Sequence, residues 1–440
     1  MGHDYRRIAD RIAADIAAGR LQPGQRLPPQ RTFARRHGLA ASTAERAYGE
    51  LVRRGLVVGE VGRGTFVRAA PPRPGGRALT EPATTAPVNL ELNYPSAPGQ
   101  AELLAPALAP LTRPDVLTDA LRPAPADGTA PAREAASALL GLPGRVLFTG
   151  NARQAIAAAL ASLVRPGGRV GVEELTYPLV MEIAARIGVT LVPLATDGDG
   201  LLPDAVAAAH RSAPLSALYV QPTLHNPTSV TMSGARRRHV AAVAGDLDIP
   251  VVEDRIWSFL ADGAEEPLAV HAPGLTHVVD GLSKRVAPGL TVGFLVVPPH
   301  RAEEVADVVR SGGWSAGRFA LEAAVRWIED GTVARLVAAK REDARHRQRL
   351  VRRWLGGFRV RCDPRAYYAW WELPAPWRAD TFTAAAAEHG IAVTPGPAFA
   401  VDPGRTPDAV RLGLASAAVP DLERALATLA ALARGGPSGR

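Results

Sequence analysis

The run ALYVQPTLHNPTS at residues 217–229 decides the fold, because it joins a short apolar strand to a polar loop. Two further runs follow the same plan: IPVVED at 249–254 ends in Asp254, and THVVDGLSK at 276–284 ends in Lys284. Short apolar runs of this kind, separated by helix-length segments, are typical of a mostly parallel sheet with helices on both faces. Ligands of such sheets bind at the carboxyl ends of the strands, so the polar residues there are the candidate site.

The same alternation of helix and strand continues over residues 89–436. A helix-like run, ARQAIAAALASLV, leads to the strand RVGVEE, then to a predicted helix over 179–187 and the strand VTLVPLA. The fold class expected for this region is therefore α/β, with a mostly parallel central sheet. No internal repeat is apparent.

Composition excludes several classes of protein. The chain has 440 residues, of which 47% are hydrophobic, enough to bury the cores of two or three domains. Its single cysteine, Cys362, excludes a disulfide scaffold, and no apolar run reaches the roughly 18 residues of a membrane helix. The first residues, MGHDYRRIADRIA, lack the features of a secretory signal, which favours the cytoplasm.

The excess positive charge is concentrated at the amino terminus. The whole chain has a formal charge of +8; residues 1–68 contain 13 arginines and 6 acidic residues, and the rest of the chain is nearly neutral. A small basic unit on a neutral body points to a polyanion as the partner of that unit. The alternative is that arginine is simply abundant, since lysine occurs only at 284 and 340.

Periodicity in residues 1–68 predicts three helices and a hairpin. Ile8, Ile12 and Ile16 form one apolar stripe on a helix over 5–18, a second helix fits 29–37, and a third fits 42–54 with Ser42 or Thr43 as its cap. Two β-branched runs around Gly62–Gly64 follow as a hairpin. This order describes a winged helix-turn-helix. Residues 69–88, rich in Pro, Gly, Ala and Thr, are the predicted linker.

The amino-terminal unit resembles the GntR-type DNA-binding domain. The stretch LPPQRTFARRHGLAASTAERAYGELVRRGLV at 27–57 and GRGTFV at 62–67 carry the resemblance. It differs from the family's usual pattern at Pro29, Ala40 and Ala41. The resemblance implies contacts with double-stranded DNA by Arg31, which would read a guanine, by Ser42, Thr43 and Arg46 on the recognition helix, and by Arg63 at the wing tip. An alternative applies to four further arginines, which would only place charge on solvated helix faces: Arg35, Arg36, Arg53 and Arg54.

Residues 89–436 resemble the fold type I aminotransferases, which depend on pyridoxal phosphate. The motifs occur in the family's order: TGNARQA at 149–155, EELTYP at 173–178, PTLHNPTS at 222–229, VVEDRIW at 251–257, LSKRVAPGLTVGF at 282–294, VTPGPAF at 393–399 and VRLGLA at 410–415. A pyridoxal aldehyde needs an amine, and only two lysines are present. Lys340 lies in the charged run AAKREDARHR, so Lys284 is the expected Schiff-base residue.

The resemblance assigns the other site residues. Asp254 would face the pyridine nitrogen, Asn226 the ring hydroxyl, and Tyr177 would stack on the ring. Backbone groups of Ala152 and Arg153 at a helix start, with the hydroxyl of Ser283, would bind the phosphate. Arg411 would bind the carboxylate of an amino acid effector. Each has an alternative: Asp254 as a solvated strand end, Tyr177 as a core ring, Arg411 as a surface arginine.

The phosphate cup departs from the family pattern. Thr291 stands where an arginine is usual, Gly281 where a serine is usual, and Trp257 where a tyrosine is usual, while the tyrosine that crosses the dimer interface falls near Pro123. Two alternatives follow: either Arg153 supplies the missing positive charge of the cup, or the site binds a different ligand or none. No metal site is expected.

The whole chain resembles the MocR/PdxR-type transcription regulators, in which a GntR-type domain is fused to an aminotransferase-like domain. The resemblance implies a cytoplasmic homodimer that binds a DNA operator and senses pyridoxal phosphate or a small amine or amino acid. Two alternatives remain open. One is a pyridoxal-phosphate-dependent aminotransferase with a vestigial or regulatory DNA-binding head; the other is a cofactor-free dimeric regulator.

Overall fold

The computed structural model describes residues 5–17, 20–22, 24–53, 56–60, 64–67, 86–261, 263, 265–402 and 408–435. The predicted wing-tip contact Arg63 and residues 69–85 of the predicted linker lie outside the described residues. Val88, the last residue of that predicted linker, already pairs with a strand of the large domain.

Three helices and a hairpin form the amino-terminal domain. They are α1 (Tyr5–Ala17), α2 (Gln30–Arg36) and α3 (Ala41–Arg53), followed by β1 (Val57–Glu60) and β2 (Gly64–Val67), which pair antiparallel. Ile12 is buried, with Ile8 and Ile16 packed beside it, so the apolar stripe predicted on α1 faces the core. The hydroxyl of Tyr48 donates to the carbonyl of Pro28 at 2.7 Å and ties α3 to the segment before α2.

The start of α3 differs from the prediction by one residue. The helix begins at Ala41, so Ser42 and Thr43 lie inside its first turn and the residue before the helix is Ala40. An N-cap side chain must precede the first helical residue, and the predicted capping role of Ser42 or Thr43 is therefore wrong. Ser42 is exposed on the helix surface instead.

The large domain contains the remaining strands and helices. Its strands are β3 (Val88–Asn89), β4 (Arg145–Thr149), β5 (Arg169–Glu173), β6 (Thr190–Leu194), β7 (Thr196–Asp197), β8 (Gly200–Leu201), β9 (Ala217–Val220), β10 (Val251–Asp254), β11 (Thr276–Gly281), β12 (Gly293–Val297), β13 (Arg359–Cys362), β14 (Tyr368–Glu372), β15 (Ile391–Ala392), β16 (Thr394–Pro395) and β17 (Ala409–Gly413). Its helices are α4 (Gln100–Leu108), α5 (Pro114–Ala120), α6 (Ala130–Leu140), α7 (Ala152–Leu163), α8 (Pro178–Arg186), α9 (Pro203–Ser212), α10 (Gly234–Asp246), α11 (Leu268–His271), α12 (Leu282–Arg285), α13 (Ala302–Ser311), α14 (Arg318–Glu329), α15 (Thr332–Leu355), α16 (Ala379–Glu388) and α17 (Val419–Gly435).

The central sheet has the strand order β4-β12-β11-β10-β9-β5-β6. Neighbours from β11 to β6 are parallel, and only β12 runs antiparallel to the strands beside it. All residues of β9, β10, β11 and β12 are buried, because helices cover both faces of the sheet. The predicted mostly parallel α/β sheet is confirmed.

A second, antiparallel sheet lies towards the carboxyl terminus. Its order is β13-β14-β17-β16, and a separate core of apolar residues, including Leu350, Trp371 and Leu426, packs it against α15, α16 and α17. The short strand β3 pairs in parallel with β15. The first folded residues after the predicted linker are therefore fixed to this part of the domain. Within the described ranges, no helix has both the length and the apolarity needed to cross a bilayer.

Candidate functional site

The sheet topology brings Asp254 and Lys284 to one edge. Asp254 is the last residue of β10, and β11 runs parallel beside it, with Asp254 opposite Val279. The chain then enters the short helix α12, which contains Lys284. Because carboxyl ends of parallel strands share an edge, Asp254 and Lys284 lie at the edge of the sheet where the sequence predicts a site.

The nearest neighbours of the Lys284 amine are a backbone carbonyl and two aromatic rings. Its Nζ donates to the carbonyl of Asn93 at 2.7 Å and lies 3.9 Å from the ring centre of Tyr94 and 5.1 Å from that of Trp257. Burial lowers the pKa of Lys284 well below the ordinary lysine value, and the positive charges of Arg411 and Arg153 lower it further. This environment favours the neutral amine, the form in which nitrogen attacks a carbonyl.

Lys340 is buried, although it lies in a charged run of the sequence. Its Nζ donates to the carbonyls of Lys284, Arg285 and Val286 at 3.1, 3.0 and 2.7 Å. These carbonyls lie at the end of α12, so Lys340 fixes the helix that carries Lys284. This function was missed because the neighbours of Lys340 in sequence are charged.

Asp254 accepts hydrogen bonds at both of its oxygens. Oδ2 accepts from the Tyr219 hydroxyl at 2.6 Å and from Nε2 of Gln221 at 2.9 Å, and Oδ1 accepts from the backbone N–H of Ile256 at 3.0 Å. Burial raises the pKa of Asp254, while these hydrogen bonds oppose the rise. The alternative of a solvated strand end is excluded because Asp254 is buried.

Tyr219 and Gln221 were not predicted as site residues. Both belong to or directly follow β9, which is buried on both faces. A tyrosine and a glutamine within an otherwise apolar run were the available signal, because buried polar groups need partners.

Asn226 lies in the loop after β9 and joins the same network. Its backbone N–H donates to Oε1 of Gln221 at 3.2 Å. Its side-chain Oδ1 is buried and has no hydrogen-bond partner among the described residues. A buried carboxamide oxygen without a partner is costly, so this group is available to a ligand.

Tyr177 precedes α8 and packs against the large core. Burial raises its pKa, and the charges of Arg153, Asp254 and Arg411 also act on its hydroxyl, so Tyr177 lies within reach of the other predicted site residues. It also packs beside Trp370 and Phe399. The core-ring alternative and the site prediction are thus both compatible with its environment.

The predicted phosphate cup consists of the start of α7 with the loop around α12. The side chain of Asn151 caps α7 by accepting from the backbone N–H of Gln154 at 3.1 Å. Ala152 is buried and Arg153 is exposed in the first turn, where backbone N–H groups favour anions. Ser283 is half-buried in α12.

Packing explains one of the departures in the cup. A Cβ at Gly281 would lie 2.9 Å from the carbonyl oxygen of Val292, so the serine of the family pattern does not fit without a shift of the backbone. The hydroxyl of Thr291 is buried and has no partner within the described part of the chain. The cup therefore offers backbone N–H groups and hydroxyls, with Arg153 as the cation on its first helical turn.

Arg411 is buried on β17, which excludes the surface-arginine alternative. Its Nη2 donates to the carbonyl of Glu91 at 2.5 Å and to the hydroxyl of Thr394 at 3.1 Å, and the guanidinium lies 5.4 Å from the ring of Phe399. Burial lowers the pKa of Arg411 to about 10, so it keeps its charge at neutral pH. Among the described residues, no cluster of three or more His, Cys, Asp or Glu side chains could hold a metal ion.

The predicted DNA-contact residues lie on one part of the amino-terminal domain. Arg31 is in the first turn of α2, and Ser42, Thr43 and Arg46 are in the first two turns of α3. Arg31, Ser42 and Arg46 are exposed, and Thr43 is half-buried. Within the described ranges, neither Arg31 nor Arg46 forms an ion pair, so both guanidiniums are available to an external anion.

Two family matches divide the chain. Residues 119–429 match the family described as aminotransferase class I and II, and residues 4–67 match the gntR family of bacterial regulatory proteins. The chain belongs to the aminotransferase class I and II family, with a GntR-type helix-turn-helix at its amino terminus. This combination defines a GntR-type transcription regulator fused to an aminotransferase-like domain, the MocR type.

Curated relatives have the same organisation. The chain is 28% identical to the uncharacterized HTH-type transcriptional regulator YdeF of Bacillus subtilis, over 97% of this chain and 93% of that protein. It is 26% identical to the HTH-type pyridoxine biosynthesis transcriptional regulator PdxR of Corynebacterium glutamicum, over 79% of this chain and 78% of that protein. An archaeal alanine:glyoxylate aminotransferase has the same fold, with a TM-score of 0.73 at 20% identity over 81% of this chain and 92% of that one.

Proposed function

We propose that this regulator binds an operator in double-stranded DNA through its amino-terminal domain and holds pyridoxal phosphate in its large domain, where it senses a small amine or amino acid. The observation that carries the proposal is the buried amine of Lys284, which lies near the rings of Tyr94 and Trp257 at the sheet edge where β10 ends in Asp254. The proposal includes a homodimer that acts in the cytoplasm, where bacterial DNA is located.

The residues of the site fit this cofactor at the ring. Pyridoxal phosphate, when bound, supplies an aldehyde that condenses with primary amines and a pyridine ring that withdraws electrons. Lys284 would provide the amine, and Asp254 would accept a hydrogen bond from the pyridine nitrogen. Asn226 would hydrogen-bond the ring hydroxyl through its unpartnered carboxamide, and Tyr177 would stack on the ring.

The phosphate end of the site would use a different donor set from the family pattern. The N–H groups of Ala152 and Arg153 and the hydroxyls of Ser283 and Thr291 are the candidate donors. Arg153 would supply the positive charge that the usual arginine gives at position 291. Each charge-assisted hydrogen bond contributes about 1.5–3 kcal/mol, so loss of the Arg153 charge would weaken cofactor binding measurably.

Arg411 would recognise the carboxylate of an amino acid effector. Its present partners, the carbonyl of Glu91 and the hydroxyl of Thr394, are uncharged acceptors, and a carboxylate would form stronger, bidentate hydrogen bonds. An effector changes operator affinity only as far as it binds the two arrangements of the protein unequally.

The variant Lys284→Ala tests the proposal. We expect wild-type protein titrated with pyridoxal phosphate to develop a visible absorption band, and the variant to lack that band while still shifting operator DNA on a gel. Loss of DNA binding together with the band would contradict a separate sensing function for Lys284. Turnover of amino donors by the wild type would instead support the aminotransferase alternative, and absence of any band would support the cofactor-free regulator.

A further inference from the structure

Gln221 connects three segments of the site through one residue. Its backbone N–H donates to Oε1 of Glu173 at 3.0 Å, its Nε2 donates to Oδ2 of Asp254 at 2.9 Å, and its Oε1 accepts from the backbone N–H of Asn226 at 3.2 Å. Glu173 ends β5, Asp254 ends β10, and Asn226 lies in the loop after β9. Gln221 is only 4% exposed, so water does not replace these contacts.

Only a carboxamide satisfies both side-chain contacts at once. Asp254 needs a donor at Oδ2, and the backbone N–H of Asn226 needs an acceptor, while a neutral amide supplies one of each. A carboxylate at this position would place a third acidic group beside Asp254 and Glu173 and would offer no donor to Oδ2. An apolar side chain would leave a buried oxygen of Asp254 with one partner fewer and the Asn226 N–H with none.

We infer that Gln221 is the positioning residue of the cofactor site, because it fixes the carboxylate of Asp254 relative to the loop that carries Asn226. Together with the Tyr219 hydroxyl, its amide occupies Oδ2 of Asp254 and leaves Oδ1, which has the N–H of Ile256, to accept one further hydrogen bond. The inference rests on the proposed function, since Asp254 and Asn226 are the residues that would hydrogen-bond the pyridine nitrogen and the ring hydroxyl.

Two variants of Gln221 test the inference, with a buried glutamine elsewhere as control. Gln221→Leu removes both side-chain hydrogen bonds, and Gln221→Glu, which is nearly the same size, keeps only the acceptor. In the control Gln348→Leu, the lost Nε2 donates to the carbonyls of Ala366 and Tyr368 at 2.7 and 3.0 Å, outside the Asp254 network. Each full-length protein is titrated with pyridoxal phosphate and followed by tryptophan fluorescence, by the visible band across pH, and by thermal denaturation.

We expect the two Gln221 variants to bind pyridoxal phosphate on the order of 10–100-fold more weakly than wild type and to shift the apparent pKa of the visible band. Gln348→Leu should lower the melting temperature without changing either the affinity or the pH profile of the band. Wild-type affinity and an unchanged pH profile in both Gln221 variants would overturn the inference, as would the same spectral change in Gln348→Leu. A wild-type protein without any band would overturn the proposed function as well, which distinguishes the two failures.

Discussion

Lys340 is a buried lysine among neutral acceptors, and burial lowers its pKa to about 7. Its ammonium has three N–H donors and the fold supplies three carbonyl oxygens, from residues 284–286. This arrangement satisfies the last carbonyls of a four-residue helix that is too short to be stable without tertiary contacts. The position of Lys284 therefore depends on the second lysine of the chain.

Replacing Lys340 by Met tests this dependence. The variant keeps the length of the side chain but leaves three buried carbonyls unpaired, so we expect the free energy of unfolding to fall by about 3 kcal/mol or more. Urea denaturation followed by circular dichroism measures the change. A variant as stable as the wild type would contradict the structural function of the three hydrogen bonds.

Arg411 should determine affinity for carboxylate ligands without affecting the cofactor. Arg411→Lys keeps a positive charge but loses the planar pair of donors, so an amino acid effector should bind about tenfold more weakly or worse, while its decarboxylated amine should bind as in the wild type. Calorimetric titration of both ligands into cofactor-loaded protein measures the difference. Equal weakening of amine and amino acid would argue against carboxylate recognition by Arg411.

At the scale of elements, α7 combines a structural cap with the proposed anion site. Asn151→Ala removes the cap on the first turn, and we expect a loss of about 1 kcal/mol in stability together with weaker binding of pyridoxal phosphate. Thr129→Ala is the matched control, because Thr129 caps α6 by accepting from the N–H of Ala132. Both variants should lose similar stability, but only Asn151→Ala should lose affinity for pyridoxal phosphate. Equal affinities of the two variants would contradict binding of the phosphate at the start of α7.

Helix α3 carries predicted DNA contacts on the exposed surface of the amino-terminal domain, among them Ser42 and Arg46. Arg46→Ala should reduce the free energy of operator binding by about 1–3 kcal/mol, and a smaller dependence of affinity on salt would assign the contact to a phosphate rather than a base. Arg211→Ala, an exposed arginine on α9 of the large domain, is the control. Fluorescence anisotropy at two salt concentrations measures both quantities, and equal affinities of Arg46→Ala and the wild type would remove Arg46 from the interface.

The sequence predicted the elements well and the network behind the site poorly. The apolar runs before Asp254 and Lys284 are long enough to identify strands, and parallel order alone brings their ends together. A strand buried on both faces has no alternation of polar and apolar residues, so ALYVQ indicates that Tyr219 and Gln221 need buried partners but does not identify Asp254 as that partner. Lys340 was missed for a related reason: α15 carries many charges, and only tertiary packing determines which of them is buried.

At the scale of the whole molecule, the acidic network should make stability depend on pH. Burial raises the pKa of Glu173 from 4.5 to about 8, so between these values the folded state keeps a proton that the unfolded state has lost. The free energy of unfolding therefore falls as pH rises through this window, by at most about 1.4 kcal/mol per pH unit for this one group. Burial lowers the pKa values of His225 and His277 to about 4, so these two residues change the free energy of unfolding at acidic pH instead.

Glu173→Gln isolates this contribution. The amide resembles the protonated acid and has no proton to lose, so the stability of the variant should decrease less than that of the wild type between pH 6 and pH 8. Glu134→Gln, at an exposed position of α6, is the control. Urea denaturation at the two pH values gives the comparison, and identical slopes for Glu173→Gln and the wild type would show that Glu173 is ionised in the folded protein.

The segment that follows the predicted linker contacts two of the predicted site residues. Beyond β3, the carbonyl of Glu91 accepts from Arg411 and the carbonyl of Asn93 accepts from Lys284, while the N–H of Tyr94 donates to Ser416. A ligand that engages Arg411 and Lys284 competes with these two carbonyls. Ligand occupancy would then change the hydrogen bonds of the chain immediately after β3, the first strand of the large domain.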